Sequence, residues 1–357
     1  MLKQFKIERV PAPRWSVIVI PIVAVLVTFL VSSILVILAG ANPFAAFFNF
    51  IVTPLSSQVS ALEVLVKATP LILTGIAVTF AFTAGYFNIG AEGQLYAGAV
   101  LATWVGFTFT SLPSIIIIPL MIAAGILGGV LWSLIPAILK IRLKVDEVVT
   151  TLLMNSVMLY IVSWLLNGPW RNPLSGWPQS PEISAAAHFA TLFPKSRLHI
   201  GFLIAIAVVA IAYIVIKRTP LGLKMRAAGA SLTGARFAGI DTTRTMLTAA
   251  LVSGGIAGLA GAVEIGGIHF HLIDAISNGL GYTGIIVATL GSLNPIGAGV
   301  AAMFIGLIST GSQTVSRVLG VPVYLGDVVQ NTLLLVTLAM FLLQNYRIKR
   351  VRWILLS

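Results

Sequence analysis

Apolar residues run in stretches of about 20 along nearly the whole chain, interrupted by short clusters of Lys, Arg, Gly and Pro. A helix of that length crosses the roughly 30 Å hydrocarbon layer of a bilayer, so the pattern predicts membrane spans. Ten are expected, near 16–39, 61–84, 89–110, 113–139, 147–167, 200–216, 245–265, 281–293, 295–315 and 327–344. The eighth is short and stops at Asn294-Pro295, which predicts a half-span or a broken helix. The first run is far longer than a signal-peptide core and no small-residue cleavage site follows it, so it is read as a span.

Basic residues in the loops orient the bundle. With both termini cytoplasmic, the inner segments hold 17 of the 22 bases, grouped at Lys3–Arg14, Lys140–Lys144, Lys217–Arg244 and Arg347–Arg352. The outer segments hold Arg171, Lys195, Arg197 and Arg317, and Lys67 falls within the second span. Removing or adding a span would move a basic cluster to the wrong side. The expectation is one transmembrane domain over 1–357, with a cytoplasmic N-terminal segment (1–15), an extracytoplasmic loop (168–199), a cytoplasmic loop (217–244) and a basic cytoplasmic tail (345–357). The outer loop has five prolines and two tryptophans, suited to lie on the interface or to cap an outer vestibule.

Composition agrees. Of 357 residues 58% are hydrophobic and 9% charged, with mean hydropathy +1.03. A soluble domain carries about 25% charged residues, and disorder needs low hydrophobicity. The absence of cysteine removes disulfides, thiolate catalysis and Cys-ligated metals. The net charge of +12 resembles a nucleic-acid signal until the bases are placed in loops between spans, so no nucleic-acid partner is expected. Gly125 and Gly129, then Gly254, Gly258 and Gly261, and then Gly297, Gly299 and Gly306 predict close helix–helix approach.

Motifs for bond-making chemistry are missing. The stretch Gly229–Gly234 has the glycine spacing of a phosphate loop without its Lys-Ser/Thr, and Gly279–Gly284 matches GxGxxG by letter at a membrane boundary with no strand before it. His269 and His271, with Glu264 and Asp274 nearby, lack a third His, so no metal is assigned. Within the spans, Glu63 and Lys67 are expected to pair at i,i+4. Thr151 and Asn155 follow Glu147 at intervals of four and make one face polar. Ser309, Thr310, Ser312, Gln313, Thr314 and Ser316, then Asp327, Gln330 and Asn331, form a hydroxyl- and amide-rich region. Each is either interhelical glue or part of a path. No string of carboxylates or histidines marks a proton- or sodium-driven carrier, so the polarity suits an uncharged, hydroxylated solute.

The segment Ala84-Gly-Tyr-Phe-Asn-Ile-Gly-Ala-Glu-Gly-Gln94 resembles the F-N-I-G-x-E-G-Q signature of permease subunits in the sugar and nucleoside branch of bacterial ABC importers. Two further stretches resemble that family in the same order. One is Lys144-Val-Asp-Glu-Val-Val-Thr-Thr-Leu-Leu-Met-Asn155 with Leu165–Pro169. The other is Arg226-Ala-Ala-Gly-x5-Ala235-Arg-Phe-Ala-Gly-Ile240 with Ser253–Gly261. The resemblance covers roughly 60–345 and is nearest in flavour to guanosine and nucleoside permeases.

It implies an all-α polytopic membrane protein of the type II-like ABC importer permease fold in a bacterial inner membrane. The chain would be no enzyme and would bind no cofactor itself, with ATP and Mg on two cytoplasmic ATPase subunits. A second permease, identical or paralogous, and an extracytoplasmic binding protein or lipoprotein would complete the assembly. The ATPase-coupling segment would be a short helix near Leu223–Gly239, with Leu223, Arg226, Gly229, Arg236, Gly239, Ile240 and Asp241 as its residues. Asp241 either accepts from a neighbouring Arg or caps the next helix. Asn88, Glu92, Gln94, Thr151, Asn155, Ser309, Gln313 and Asn331 are the candidates for the translocation path, with Asn88 and Glu92 bracing a broken helix beside it. The cargo implied is a nucleoside, with a simple sugar as the alternative; an ion-driven carrier and an intramembrane lipid enzyme are the rivals from other classes.

Overall fold

The computed structural model describes residues 4–9, 16–173, 175–320, 322, 324, 327–329, 331–332, 335–336, 339–340 and 346–351. A strand β1 (Gln4–Arg9) precedes α1 (Ser16–Leu38), a short α2 (Pro43–Ile51) and α3 (Gln58–Thr83). Then come α4 (Ala91–Thr108), α5 (Ser114–Leu143), α6 (Glu147–Asn167), α7 (Gly201–Arg218), α8 (Pro220–Ala230) and α9 (Leu232–Phe237). The chain continues with α10 (Thr242–Glu264), extended by a π turn over Ile265–His269, then α11 (Leu280–Leu290), α12 (Pro295–Leu319) and β2 (Tyr346–Val351). Strands β1 and β2 pair antiparallel, Lys6 opposite Lys349.

Helices α3, α5, α6, α7, α10 with its π turn, and α12 are each long and apolar enough to cross a membrane, so the protein is a multi-pass membrane protein. The boundaries follow local chemistry. Ser57, Asp146, Asp241 and Asn294 each accept a backbone N–H at the start of α3, α6, α10 and α12. Lys140 and Arg142 occupy the last turn of α5, where the helix dipole favours cations. The eighth expected span is a helix of only 11 residues, roughly 16 Å long at 1.5 Å per residue. Half of the tenth, at 327–344, lies outside the described residues.

One end of the bundle carries the 168–199 loop (the loop end), and the other carries Lys140 and Lys217 (the basic end). Helix α3 is central, 89% of its apolar window being buried against 22% for α6 and α7. The outward sides of α5, α6 and α7 expose Leu131, Leu153, Trp164 and Ile211, as a lipid-facing surface requires. The 168–199 loop folds back onto the π turn at the end of α10. Ile183 N–H donates to Phe270 O at 2.8 Å, Phe189 N–H donates to Gly266 O at 2.8 Å, and Phe189 and Leu198 are buried. His199, the last residue of the loop, is buried, and that burial pushes its imidazole down to about 4, so it packs neutral.

Helices α4, α5 and α10 meet backbone to backbone. A Cβ on Gly98 would strike Gly258, one on Gly129 would strike Gly254 and Gly258, and one on Gly125 would lie 2.6 Å from the Ala262 Cβ. Gly306 approaches α3 in the same manner, since a Cβ there would lie 2.8 Å from Val64 O. Gly299 does not share this role, since its Cβ would sit 3.6 Å from Val209, an ordinary contact. Gly258→Val is therefore expected to lower the thermal midpoint of the detergent-solubilised protein by several degrees or to prevent accumulation, at a cost of about 1–3 kcal/mol or more. Gly299→Ala should leave that midpoint unchanged or slightly raised; differential scanning fluorimetry distinguishes the two.

Candidate functional site

Helix α3 ends at Thr83, and seven residues pass before α4 begins at Ala91. Gly85 turns the chain with φ +75°, against Gly229 of α8. The Asn88 and Gln94 side chains exchange hydrogen bonds, Asn88 Nδ2 donating to Gln94 Oε1 at 2.8 Å and Gln94 Nε2 to Asn88 Oδ1 at 3.1 Å. Asn88 Nδ2 also donates to Ser253 Oγ on α10, and Asn88 Oδ1 accepts from Gly90 N–H. From α6, Thr151 Oγ1 accepts from Ile89 N–H at 3.1 Å and Asn155 Oδ1 accepts from Gly93 N–H at 2.8 Å. Asn155 Nδ2 donates to Ile89 O and to the Tyr282 hydroxyl of α11. These amides and hydroxyls satisfy the backbone groups that the helix break frees inside the bundle.

Glu92 completes the joint. Its carboxylate accepts from Gly279 N–H at 3.0 Å and Gly281 N–H at 2.7 Å, the opening turn of α11. Gly281 lacks a Cβ because the Glu92 backbone occupies that space. The chain turns back from the loop end after His269 and reaches this point inside the bundle, where Leu280 O accepts from Thr74 Oγ1 in the second half of α3. A buried carboxylate thus stands at the positive end of a half-length helix. Asn88, Glu92, Gln94, Thr151 and Asn155 are each at most 4% exposed and form one connected network.

Above the start of α11, towards the loop end, lies a cavity of about 310 Å³ whose lining includes Ser277, Asn278, Thr283 and Ser309. Of the other path candidates, Gln313 is half-buried farther along α12 and Asn331 is exposed; neither lines the cavity. The cavity also gathers Glu63, Lys67, Arg197, Glu264, His269 and Asp327. Sequence reading missed this convergence because these residues lie on α3, the loop, α10 and the segment beyond α12. The expected Glu63–Lys67 pair is corrected: Glu63 binds the Arg197 guanidinium, which the folded loop delivers from 134 residues away. Periodicity on one helix carries no information about that partner.

At the basic end, the segment expected to hold one short helix near Leu223–Gly239 holds two, α8 and α9, separated at Ser231, which is extended and caps α9 through Gly234 N–H. Leu223 is exposed, and Phe237 is almost fully so. Arg226 Nη1 donates to Ile216 O at 2.7 Å and Arg236 Nε to Thr242 Oγ1 at 2.8 Å, which anchors the pair to α7 and α10. Gly229 abuts Thr83 O, next to the α3 break. Gly239 turns with φ +78°, half-buried Ile240 follows, and Asp241 both caps α10 through Arg244 N–H and pairs with the Arg244 side chain at 3.1 Å.

Glu92→Ala is expected to leave two buried N–H groups without an acceptor, at about 1–3 kcal/mol each. Its thermal midpoint in detergent should fall markedly, whereas Glu92→Gln, which keeps one acceptor oxygen, should lose less. Equal midpoints for Glu92→Ala and the parent protein would contradict the capping role.

Residues 60–338 match the family described as the permease component of branched-chain amino acid transport systems. The chain is 34% identical over 346 residues to a glucose ABC transporter permease protein of Haloferax volcanii, covering 94% of this chain and 91% of that one. It is 30% identical over 347 residues to a guanosine ABC transporter permease protein of Bacillus subtilis, covering 95% and 96%. With a nucleoside ABC transporter permease protein of Lactococcus lactis it shares 32% identity over 304 residues, covering 83% and 84%. A family match across most of the chain, on a bundle of membrane-length helices, makes this protein a member of that ABC transporter permease family.

Proposed function

We propose that the chain is the membrane permease subunit of an ATP-driven importer and that it moves a nucleoside by alternating access. The observation that carries this reading is the polar cavity of about 310 Å³ that ends on the braced half-helix α11. Sites for small molecules occupy about 300–1,000 Å³, and a closed floor beneath such a chamber is what one half of an alternating path requires. The names of the Bacillus and Lactococcus relatives support a nucleoside as cargo. The Haloferax relative favours a second reading, a simple sugar.

Ten spans with both termini cytoplasmic complete the proposal. The pairing of β1 with β2 supports it, because two strands can share a ladder only on one side of a membrane, which demands an even number of crossings. The basic residues at that end argue for the cytoplasm. In this arrangement α8 and α9 face two ATPase subunits that hold ATP and Mg, and the loop end faces a solute-binding protein. A second permease, identical or paralogous, stands alongside. ATP-driven movement of α8 and α9 reaches the path through Gly229, which touches the α3 break that Asn88, Glu92, Gln94, Thr151 and Asn155 brace.

Uptake of labelled guanosine and glucose should fall when ATP is depleted and persist when the proton gradient is collapsed at constant ATP. Loss with the gradient alone would favour an ion-driven carrier. Phe237→Asp should leave insertion intact and reduce uptake at least tenfold while the ATPase subunits continue to turn over ATP; normal coupled uptake would overturn the assignment of α9 to that contact.

A further inference from the structure

A second cavity lies apart from the polar one, on the outside of the bundle. It is a cleft of about 390 Å³ between α5, α7 and α10, with Ile126, Val130, Val208, Leu251, Gly255 and Leu259 among its walls. Every residue that lines it is apolar, so neither a nucleoside nor a sugar would find a hydrogen-bond partner there. The cleft exists because α7 packs chiefly on α3, α8 and α12, whereas α5 packs on α10 and α4, which leaves the side of α7 towards α5 and α10 open. Leu131 and Ile211, close to the wall residues on α5 and α7, are exposed on the lipid-facing surface, so the cleft opens on the bilayer. Left empty, it would forfeit the dispersion contacts of its walls, and water does not fill an apolar cavity. Its occupant is apolar and comes from the membrane.

Two of the three walls lead to a positive charge at the basic end. On α10, Arg244, Leu251, Gly255 and Leu259 follow one another at intervals of seven, four and four, which keeps them on one side of the helix. On α7, Val208, Ile211 and Arg218 do the same at intervals of three and seven. Arg244 stands roughly 10 Å along the axis from Leu251, and Arg218 roughly 15 Å from Val208, about the depth of one leaflet of the hydrocarbon core. Arg218 is exposed, with no hydrogen bond or ion pair to any described residue. Arg244, its side chain 89% exposed, has a surface pair with Asp241 that leaves the guanidinium open to a further anion. A phosphodiester is what paired guanidiniums bind best, and a zwitterionic headgroup would bring its own cation against them. We propose that the cleft is a binding site for an anionic phospholipid of the leaflet at the basic end, with one acyl chain between α5, α7 and α10 and the phosphate held by Arg218 and Arg244.

The test uses the complete transporter, reconstituted in nanodiscs of equal phosphatidylglycerol and phosphatidylcholine, then released and weighed with its retained lipids by native mass spectrometry. The outcome does not depend on which solute is carried. Parent protein is expected to retain phosphatidylglycerol about tenfold over phosphatidylcholine. Leu251→Trp, which fills the cleft, and the double variant Arg218→Gln with Arg244→Gln should each cut that retention about fivefold or more. If Leu251→Trp fails to accumulate, Val208→Trp fills the same cleft from α7 and takes its place. Equal retention of the two lipids, or a preference that survives either the cleft-filling or the charge variant, overturns the proposal. The chain has no cysteine, so Leu251→Cys gives it a single site for a photo-reactive maleimide. On illumination in the nanodisc the label should attach to lipid; attachment to another polypeptide would place a protein helix in the cleft and overturn the lipid assignment.

Discussion

The carboxylate of Glu92 on the first turn of α11 is the interaction on which the interior depends. A helix that begins inside a bilayer exposes backbone N–H groups where no water can reach them, and each unpaired group costs about 1–3 kcal/mol. Two of them end on Glu92. With that cap in place α11 can be short, and the chain can approach it from the loop end and leave room above it. The cavity is a by-product of the missing half of a span. The Asn88–Gln94 exchange and the two α6 side chains perform the same service for the break between α3 and α4, so two interruptions lie back to back and are closed by one polar network.

Around this joint the packing follows a different rule. Lipid tails are as apolar as leucine, so helices gain little by burying large side chains against one another, and close backbone approach takes over. The α4–α5–α10 contact is built in this way, with Gly98, Gly125, Gly129 and Gly258 at the points of nearest approach. Such a contact leaves little freedom to slide. The polar joint and the α8–α9 pair, attached through a few hydrogen bonds and one glycine contact, are the more adjustable parts.

Much of this was legible in the sequence. Apolar runs of membrane length marked α1, α3 to α7, α10 and α12 to within about four residues, and the Asn294-Pro295 stop marked the half-helix α11, because those signals are local; the short α2 went unmarked. The Thr151–Asn155 face was readable because spacing of four fixes a side of a helix. The partners of charges were not readable. Glu63 could be matched along its own helix only to Lys67, whereas its partner Arg197 arrives on a loop whose path is set by backbone bonds to Phe270 and Gly266. Glu264 sits near His269 in sequence and suggested at most a metal, and its place in a cavity wall with Lys67 exists only once α3 and α10 are packed. The division at Ser231 escaped for a related reason: a serine that caps a second helix looks, in sequence, like one more small residue in a helical stretch.

The ribbon of β1 and β2 has a consequence for biogenesis. Its strands are separated by the whole bundle, so their ladder has nearly the greatest sequence separation that the chain allows. During synthesis the first strand must wait, with one edge open, until every intervening helix has emerged and been threaded. Closure of the ribbon is therefore among the last events of assembly. A chain whose helices were inserted in the wrong register of sides would leave the two strands on opposite faces of the bilayer, each a free edge for quality-control proteases or for another protein to find.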